Sequence, residues 1–159
     1  MPDFKTKRLR TNITRFFKFQ DNLQMKTQRE KLIINYFSPH KAMDVVDLYN
    51  WLDPDVTIVE PEALPWGGSY HGLKGVGAYM TNVTQSILSE IKLDDVYSCG
   101  DKVVAIGWSS GKAVKTGKSF QIRVTQLFTF NQNNKISRVE FYADLPAFAE
   151  LLELNPTPP

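Results

Sequence analysis

The chain has 159 residues, 42% hydrophobic and 23% charged, a composition typical of one folded globular domain and not of a disordered or low-complexity chain. Its single cysteine, Cys99, cannot form an internal disulfide, and with only two histidines the sequence cannot provide the Cys/His spacing of a zinc site. The composition still allows a metal site made of carboxylates, but no residue pattern supports one. We predict neither a metal nor a cofactor. We also predict no membrane span, because no apolar run approaches the required ~18 residues.

The net charge of +2 belongs to the N-terminus of the chain. Residues 1–24 hold six Lys/Arg against two Asp, whereas the rest holds 13 Lys/Arg against 15 Asp/Glu. Because the body lacks a basic stripe, we predict no nucleic-acid binding. The N-terminus also lacks the apolar segment of a secretory signal, which predicts a cytoplasmic protein.

The sequence predicts three regions: a basic, disordered extension at 1–24, one domain at 25–154 and a Pro-rich tail at 155–159. The extension shows no sustained helical or strand period. It fits a leader, or an upstream start codon with Met25 as the true beginning. It also fits a basic, aromatic surface anchor or an organellar transit segment.

From Met25 onward, helices precede a run of strands. Apolar side chains at helical spacing predict a first helix that ends before Pro39. The remaining elements of this half are predicted as a helix at 42–52, a turn at 53–55, a strand at 56–60, a long Gly/Pro-rich loop at 61–77 and a helix at about 73–87, whose first turns overlap the end of that loop.

After Ser89 the hydrophobic period changes from helical spacing to two. Candidate strands lie at 90–98, 102–114, 118–131 and 135–143, and their short connections make them antiparallel neighbours. Asp144 stands where the N-cap of a last helix is expected. This order predicts an α+β domain, in which helices pack on one face of a curved antiparallel sheet and leave a pocket at its mouth.

Four segments carry a family resemblance: AMDVVDLYNWLDPDVTIVEP, SYHGLKGVGAYM, TGKSFQIRVTQLFTFNQNNKI and EFYADL. In their order and spacing they resemble the nuclear transport factor 2-like superfamily, in its SnoaL-like and ketosteroid-isomerase-like branch, over Met25 to Leu152. The resemblance implies a cone-shaped sheet with the N-terminal helices on its concave face. It also implies a homodimer, because members often pair through the outer sheet surface.

The resemblance to ketosteroid isomerases assigns three candidate catalytic residues. Tyr36 matches the tyrosine of the oxyanion hole, Glu60 matches the general base, and Gln126 replaces the protonated Asp of that hole. Alternation along the strands independently places Glu60 and Gln126 on the inner face. Burial there would raise the pKa of the Glu60 carboxyl group towards neutrality, where it can act as a base.

A structural interpretation of the same residues stays open, with Tyr36 in the core, Glu60 bonded to loop amides and Gln126 fixing the sheet register. Five more side chains are predicted to line the pocket: Trp66, His71, Trp108, Phe128 and Phe141. The sequence thus predicts a cofactor-independent isomerase, cyclase or lyase that acts on an apolar carbonyl compound with Glu60 as base. The alternatives are a protein that binds an apolar ligand without turning it over and a dimeric scaffold protein.

Overall fold

The computed structural model describes residues 26–38 and 45–154. The predicted extension at 1–24 and the predicted tail at 155–159 lie outside this range. So do residues 42–44, the predicted start of the second helix. Within the described part of the chain, no helix is long and apolar enough to cross a membrane.

The described chain folds as an α+β domain, as predicted. Its helices are α1 (Gln28–Tyr36), α2 (Val45–Trp51), α3 (Gly72–Ser86) and α4 (Leu145–Leu152). Its strands are β1 (Leu52–Glu60), β2 (Gly68–His71), β3 (Ile87–Cys99), β4 (Lys102–Ala113), β5 (Ser119–Phe130) and β6 (Ile136–Ala143).

The six strands form one curved, open sheet in the order β2-β1-β6-β5-β4-β3. The pairs from β3 to β6 are antiparallel hairpins, as their short connections predicted. The sheet is not antiparallel throughout, however, because β1 pairs with β6 in parallel. All the other strands lie between these two in the sequence, so β6 can enter beside β1 in the same direction.

Two local predictions near β1 were wrong. The predicted turn at 53–55 lies within β1, where the pairing with β6 shifts register between Leu52 and Thr57. The predicted loop at 61–77 contains β2 and the start of α3. Because β2 has only four residues, GSYH, it is too short to be recognised as a strand from the sequence pattern.

A buried carboxylate fixes α1 against the sheet. Thr27 and Glu30 form a capping box, in which Thr27 Oγ1 accepts from the Glu30 amide at 3.2 Å and Glu30 Oε2 accepts from the Thr27 amide at 2.7 Å. Glu30 Oε1 also accepts from the Ser98 amide of β3 at 2.8 Å. These bonds hold α1 in place, so that its last residue, Tyr36, faces the inner side of the sheet.

Candidate functional site

A cavity of about 940 Å³ lies between the inner face of the sheet and helices α1, α2 and α3. Its wall is mostly apolar, and Phe128 and Phe141 are part of it, as predicted. Tyr36, Tyr79 and the buried Gln126 belong to the same wall, as do the exposed Glu90 and Lys92 of β3. An apolar cavity with a few convergent polar groups is the usual form of a small-molecule site.

Glu60 is buried at the end of β1, with 6% of its surface exposed, as strand alternation predicted. Its Oε1 accepts a hydrogen bond of 2.8 Å from the Tyr79 hydroxyl of α3. Burial raises the pKa of Glu60 from 4.5 to about 7, against the opposing effect of hydrogen bonding by Tyr79 and Trp66. Desolvation therefore dominates, and both protonation states of Glu60 are populated near neutral pH.

Tyr79 separates Glu60 from the cavity. Tyr79 lines the cavity wall, whereas Glu60 is not among the lining residues. Burial, together with the negative charge of Glu60, raises the pKa of Tyr79 well above 10, so the phenol stays protonated and donates its hydrogen bond. The sequence pattern does not mark Tyr79 as a site residue, because at helical spacing on α3 it has the pattern of an ordinary core side chain.

The strand register aligns Glu60 with Gln126. Ile58 pairs with Val139 in parallel, and continuing that register places Glu60 beside Phe141. Phe141 in turn pairs with Gln126 of β5. Neighbouring strands lie about 4.8 Å apart, so the backbones of Glu60 and Gln126 are roughly 10 Å apart on the same face. The Phe141 ring lies between them and packs against Tyr79, with 5.6 Å between ring centroids.

Gln126 is 2% exposed, and its side-chain Nε2 and Oε1 have no hydrogen-bond partner among the described residues. Its neighbours across β4 and β6 are Ala105 and Phe141, which offer the amide no polar side chain. A buried amide without partners costs stability. The open alternative that Gln126 fixes the sheet register by side-chain hydrogen bonding has no support in these contacts.

Tyr36, the last residue of α1, also lies in the cavity wall. Burial raises the pKa of its phenol, and Tyr79 belongs to the same wall. The Tyr36 ring packs edge-on against Phe37, with centroids 4.6 Å apart. The structure therefore brings all three predicted catalytic side chains to one region, with Tyr79 as a fourth member.

Three of the predicted pocket-lining residues lie elsewhere. His71 is exposed because β2 alternates and turns Tyr70 inward, and His71 Nδ1 lies 3.2 Å from Thr57 Oγ1. Trp108 faces the outer side of the sheet, stacked with the Arg123 guanidinium at 5.0 Å. Trp66 is buried, packs on Phe148 of α4 and is a hydrogen-bond partner of Glu60, and it is not among the residues that line the cavity.

In the described ranges, no group of three or more His, Cys, Asp or Glu side chains is arranged to hold a metal ion. The charged lining residues Glu90 and Lys92 are exposed, and the buried polar groups of the site are therefore one carboxyl group, two phenols and one primary amide around a mostly apolar space. Such groups can move a proton and donate hydrogen bonds to a developing negative charge.

Comparisons with known proteins agree with this architecture. The family model for the SnoaL-like domain matches residues 34–139. No curated protein matches the chain. Many solved structures match it.

A nuclear transport factor 2-like protein of unknown function from Burkholderia pseudomallei is 23% identical, with 79% of this chain and 98% of that chain covered and a TM-score of 0.69. TerC, co-crystallised with polyporic acid, is 22% identical, with coverage of 80% and 99% and a TM-score of 0.70. A Catenulispora acidiphila protein with a ketosteroid isomerase-like fold, in complex with trimethylamine, is 16% identical, with coverage of 79% and 96% and a TM-score of 0.63. At these identities the likeness shows a shared fold.

Proposed function

The chain belongs to the SnoaL-like family, and on this premise we propose that it is a cofactor-independent isomerase, cyclase or lyase. It would transfer a proton on an apolar carbonyl compound held in the cavity. The observation that carries the proposal is the Glu60–Tyr79 hydrogen bond, which connects a buried carboxyl group to the wall of a cavity large enough for a small molecule. A carboxyl group with a pKa of about 7 can both accept and return a proton at neutral pH.

The proton passes through Tyr79, because Glu60 does not line the cavity. The carbon next to the substrate carbonyl gives its proton to Tyr79 Oη while the hydroxyl proton of Tyr79 moves to Glu60 Oε1. The electron pair of the broken C–H bond moves onto the carbonyl oxygen, which forms an enolate. The two transfers occur together, since the raised pKa of Tyr79 disfavours a free phenolate. Reversal at another carbon completes an isomerisation.

Tyr36 and Gln126 would stabilise the enolate oxygen by donating hydrogen bonds from the same wall. The Gln126 amide has donors free for this role among the described residues. An amide is a weaker acid than the protonated Asp of ketosteroid isomerases, and removing one donor from an oxyanion hole costs about 10²–10³ in rate elsewhere. We therefore expect slower turnover here than a complete oxyanion hole would give.

The test is deuterium uptake by 2-tetralone in D₂O, an apolar ketone with exchangeable protons beside its carbonyl. We expect the wild-type protein to accelerate uptake, and Glu60→Gln and Tyr79→Phe each to lower the rate by about 10²-fold or more while 2-tetralone affinity changes little. Tyr70→Phe is the matched control. It removes the hydroxyl of a neighbouring tyrosine, which donates to the Trp66 carbonyl oxygen, and should leave the rate within a few-fold. Full activity in Glu60→Gln would refute the mechanism.

A non-catalytic ligand-binding protein is the second candidate. The position of Glu60 behind Tyr79 favours it, because a direct general base would line the cavity. This candidate predicts saturable binding of apolar carbonyl compounds with no acceleration of deuterium uptake by the wild-type protein.

The outer face of the sheet supports a homodimer, either catalytic or serving as a scaffold. Trp108 is 37% exposed there and Tyr142 is 54% exposed. Large exposed apolar side chains on a sheet face are typical of an interface. Light scattering coupled to size exclusion should give the mass of two chains, and Trp108→Glu should give the mass of one. A monomeric wild-type protein would contradict this.

A further inference from the structure

We propose that the ligand of this cavity is an uncharged ring compound with a hydrogen-bond donor and an acceptor side by side, as in a lactam or an enolised 1,3-dicarbonyl, and that Gln126 recognises this pair. The inference rests on the proposed function only in taking the cavity as a ligand site. It adds the polar pattern of the ligand, which the Glu60–Tyr79 pair does not specify.

The side-chain amide of Gln126 is an unsatisfied polar group. Both its donor and its acceptor are buried without a partner among the described residues, on a side chain that forms part of the cavity wall. Native proteins pair nearly all such groups, and an exception calls for an explanation. A ligand that supplies both missing partners would account for a glutamine at this position.

The geometry of a primary amide determines which ligand groups can pair with Gln126. A primary amide presents an N–H beside its C=O, so a ligand with a C=O beside an N–H or O–H forms two parallel hydrogen bonds with it. A ligand with an acceptor alone satisfies the N–H and leaves the Gln126 oxygen unpaired. Leaving a buried polar group unpaired is expensive, which makes the site selective for the paired pattern.

The surroundings of Gln126 favour an uncharged ligand group. The register partners of Gln126 are Ala105 and Phe141, and Phe128 follows two residues along β5 on the same face. An ionised ligand group in contact with Gln126 would lose its hydration without gaining an opposite charge from these neighbours. The charged lining residues of the cavity, Glu90 and Lys92, are exposed to solvent, so the group recognised at the buried amide is neutral. Glu60, the one buried carboxyl group of the site, is about two strand spacings away from Gln126.

A ligand needs a small side-chain movement to reach Gln126. With 2% of its surface exposed, Gln126 is reached only when a neighbouring side chain moves. Side-chain rotamer changes on binding are common in otherwise rigid proteins. The apolar body of the ligand would fill the cavity, and its donor–acceptor edge would be directed at β5.

The experiment uses 2-quinolone and coumarin, two bicyclic compounds that differ at the ring N–H, which coumarin replaces by oxygen. We expect wild-type protein to bind 2-quinolone at least about tenfold more tightly than coumarin in isothermal titration calorimetry. Gln126→Met should bring the ratio of the two affinities close to one. Gln121→Met makes the same substitution at an exposed position of the same strand and should keep the wild-type ratio.

A second readout follows Gln126 directly. In ¹⁵N-labelled protein, the side-chain NH₂ signals that disappear in Gln126→Met should shift with 2-quinolone and much less with coumarin. Equal affinities in wild-type protein, a preference that survives Gln126→Met, or no binding of either compound would each overturn the inference. Deuterium uptake by 2-tetralone is measured separately, so a failure of recognition at Gln126 is distinguishable from a failure of proton transfer.

Discussion

Replacing Glu60 by Gln should remove a large pH dependence from the stability of the protein. Glu60 titrates at about 7 in the folded protein because burial disfavours its charged form, against 4.5 for an ordinary glutamate. The folded state therefore holds the proton more tightly than the unfolded state. Below pH 4.5 both states are protonated and Glu60 costs nothing. As pH rises from 4.5 to 7, only the unfolded chain releases the proton, so the free energy of unfolding falls.

The size of the effect follows from the two pKa values. Each pH unit between them lowers the free energy of unfolding by about 1.4 kcal/mol, for a total of about 3 kcal/mol. About 2.5 kcal/mol of this loss falls between pH 5 and pH 8, and above pH 8 the contribution levels off. Glu60→Gln keeps the size of the side chain and an acceptor for the Tyr79 hydroxyl, but it does not titrate.

The assay is urea unfolding of the wild-type and Glu60→Gln proteins from pH 5 to pH 9, monitored by tryptophan fluorescence. All other titrating groups are common to the two proteins, so the difference between their unfolding free energies isolates Glu60. We expect that difference to move by about 2.5 kcal/mol in favour of Glu60→Gln between pH 5 and pH 8. Parallel curves over this range would refute the argument that desolvation controls the protonation of Glu60.

Three further changes test the packing around the site. Gln126→Met should raise the free energy of unfolding of the ligand-free protein by about 1–2 kcal/mol, because it removes two unpaired buried polar atoms; a lower midpoint in urea would contradict this. Glu30→Ala should lower it by about 1–3 kcal/mol at pH 7, since the capping box and the bond from the Ser98 amide are lost. Although burial acts to raise the pKa of Glu30, the hydrogen bonds from Thr27 and Ser98 lower it overall, so this loss should shrink as pH falls below 4.5. Gly111→Ala should cost about 1–3 kcal/mol, because a Cβ there would overlap a backbone carbonyl oxygen of β3; calorimetry showing an unchanged melting temperature would refute the close approach of the two strands.

The sequence was most informative where local periodicity governs structure. The change of period after Ser89 predicted the hairpins of β3 to β6, since alternation alone decides which side of a strand is buried. The same alternation predicted that Glu60 and Gln126 face inward, and both are buried. Asp144 caps α4 as predicted, with its side chain accepting from the Ala147 amide at 3.1 Å. Each of these features depends on neighbours in sequence.

Alternation along β4 also assigns Trp108 to the outer face. Its prediction as a pocket residue rested on its aromatic character, whereas its position on the outer face agrees with the alternative that it belongs to the outer sheet surface. His71 was misplaced for a different reason, since the four-residue β2 is too short to be recognised and its pairing with β1 turns this side chain outward.

Sequence alone thus determined the α+β class, the hairpin order and the inward direction of the carboxyl and amide groups, because these depend on local periodicity. Tertiary structure alone decided that Tyr79, 19 residues from Glu60, is its hydrogen-bond partner. The rotation of α3 about its own axis and its docking on the sheet set that contact, and no pattern within the helix specifies them. The parallel pairing of β1 with β6 likewise aligns Glu60 with Phe141 and Gln126 across strands far apart in sequence. The site is therefore assembled by long-range packing, and its chemistry depends on which side chains that packing removes from water.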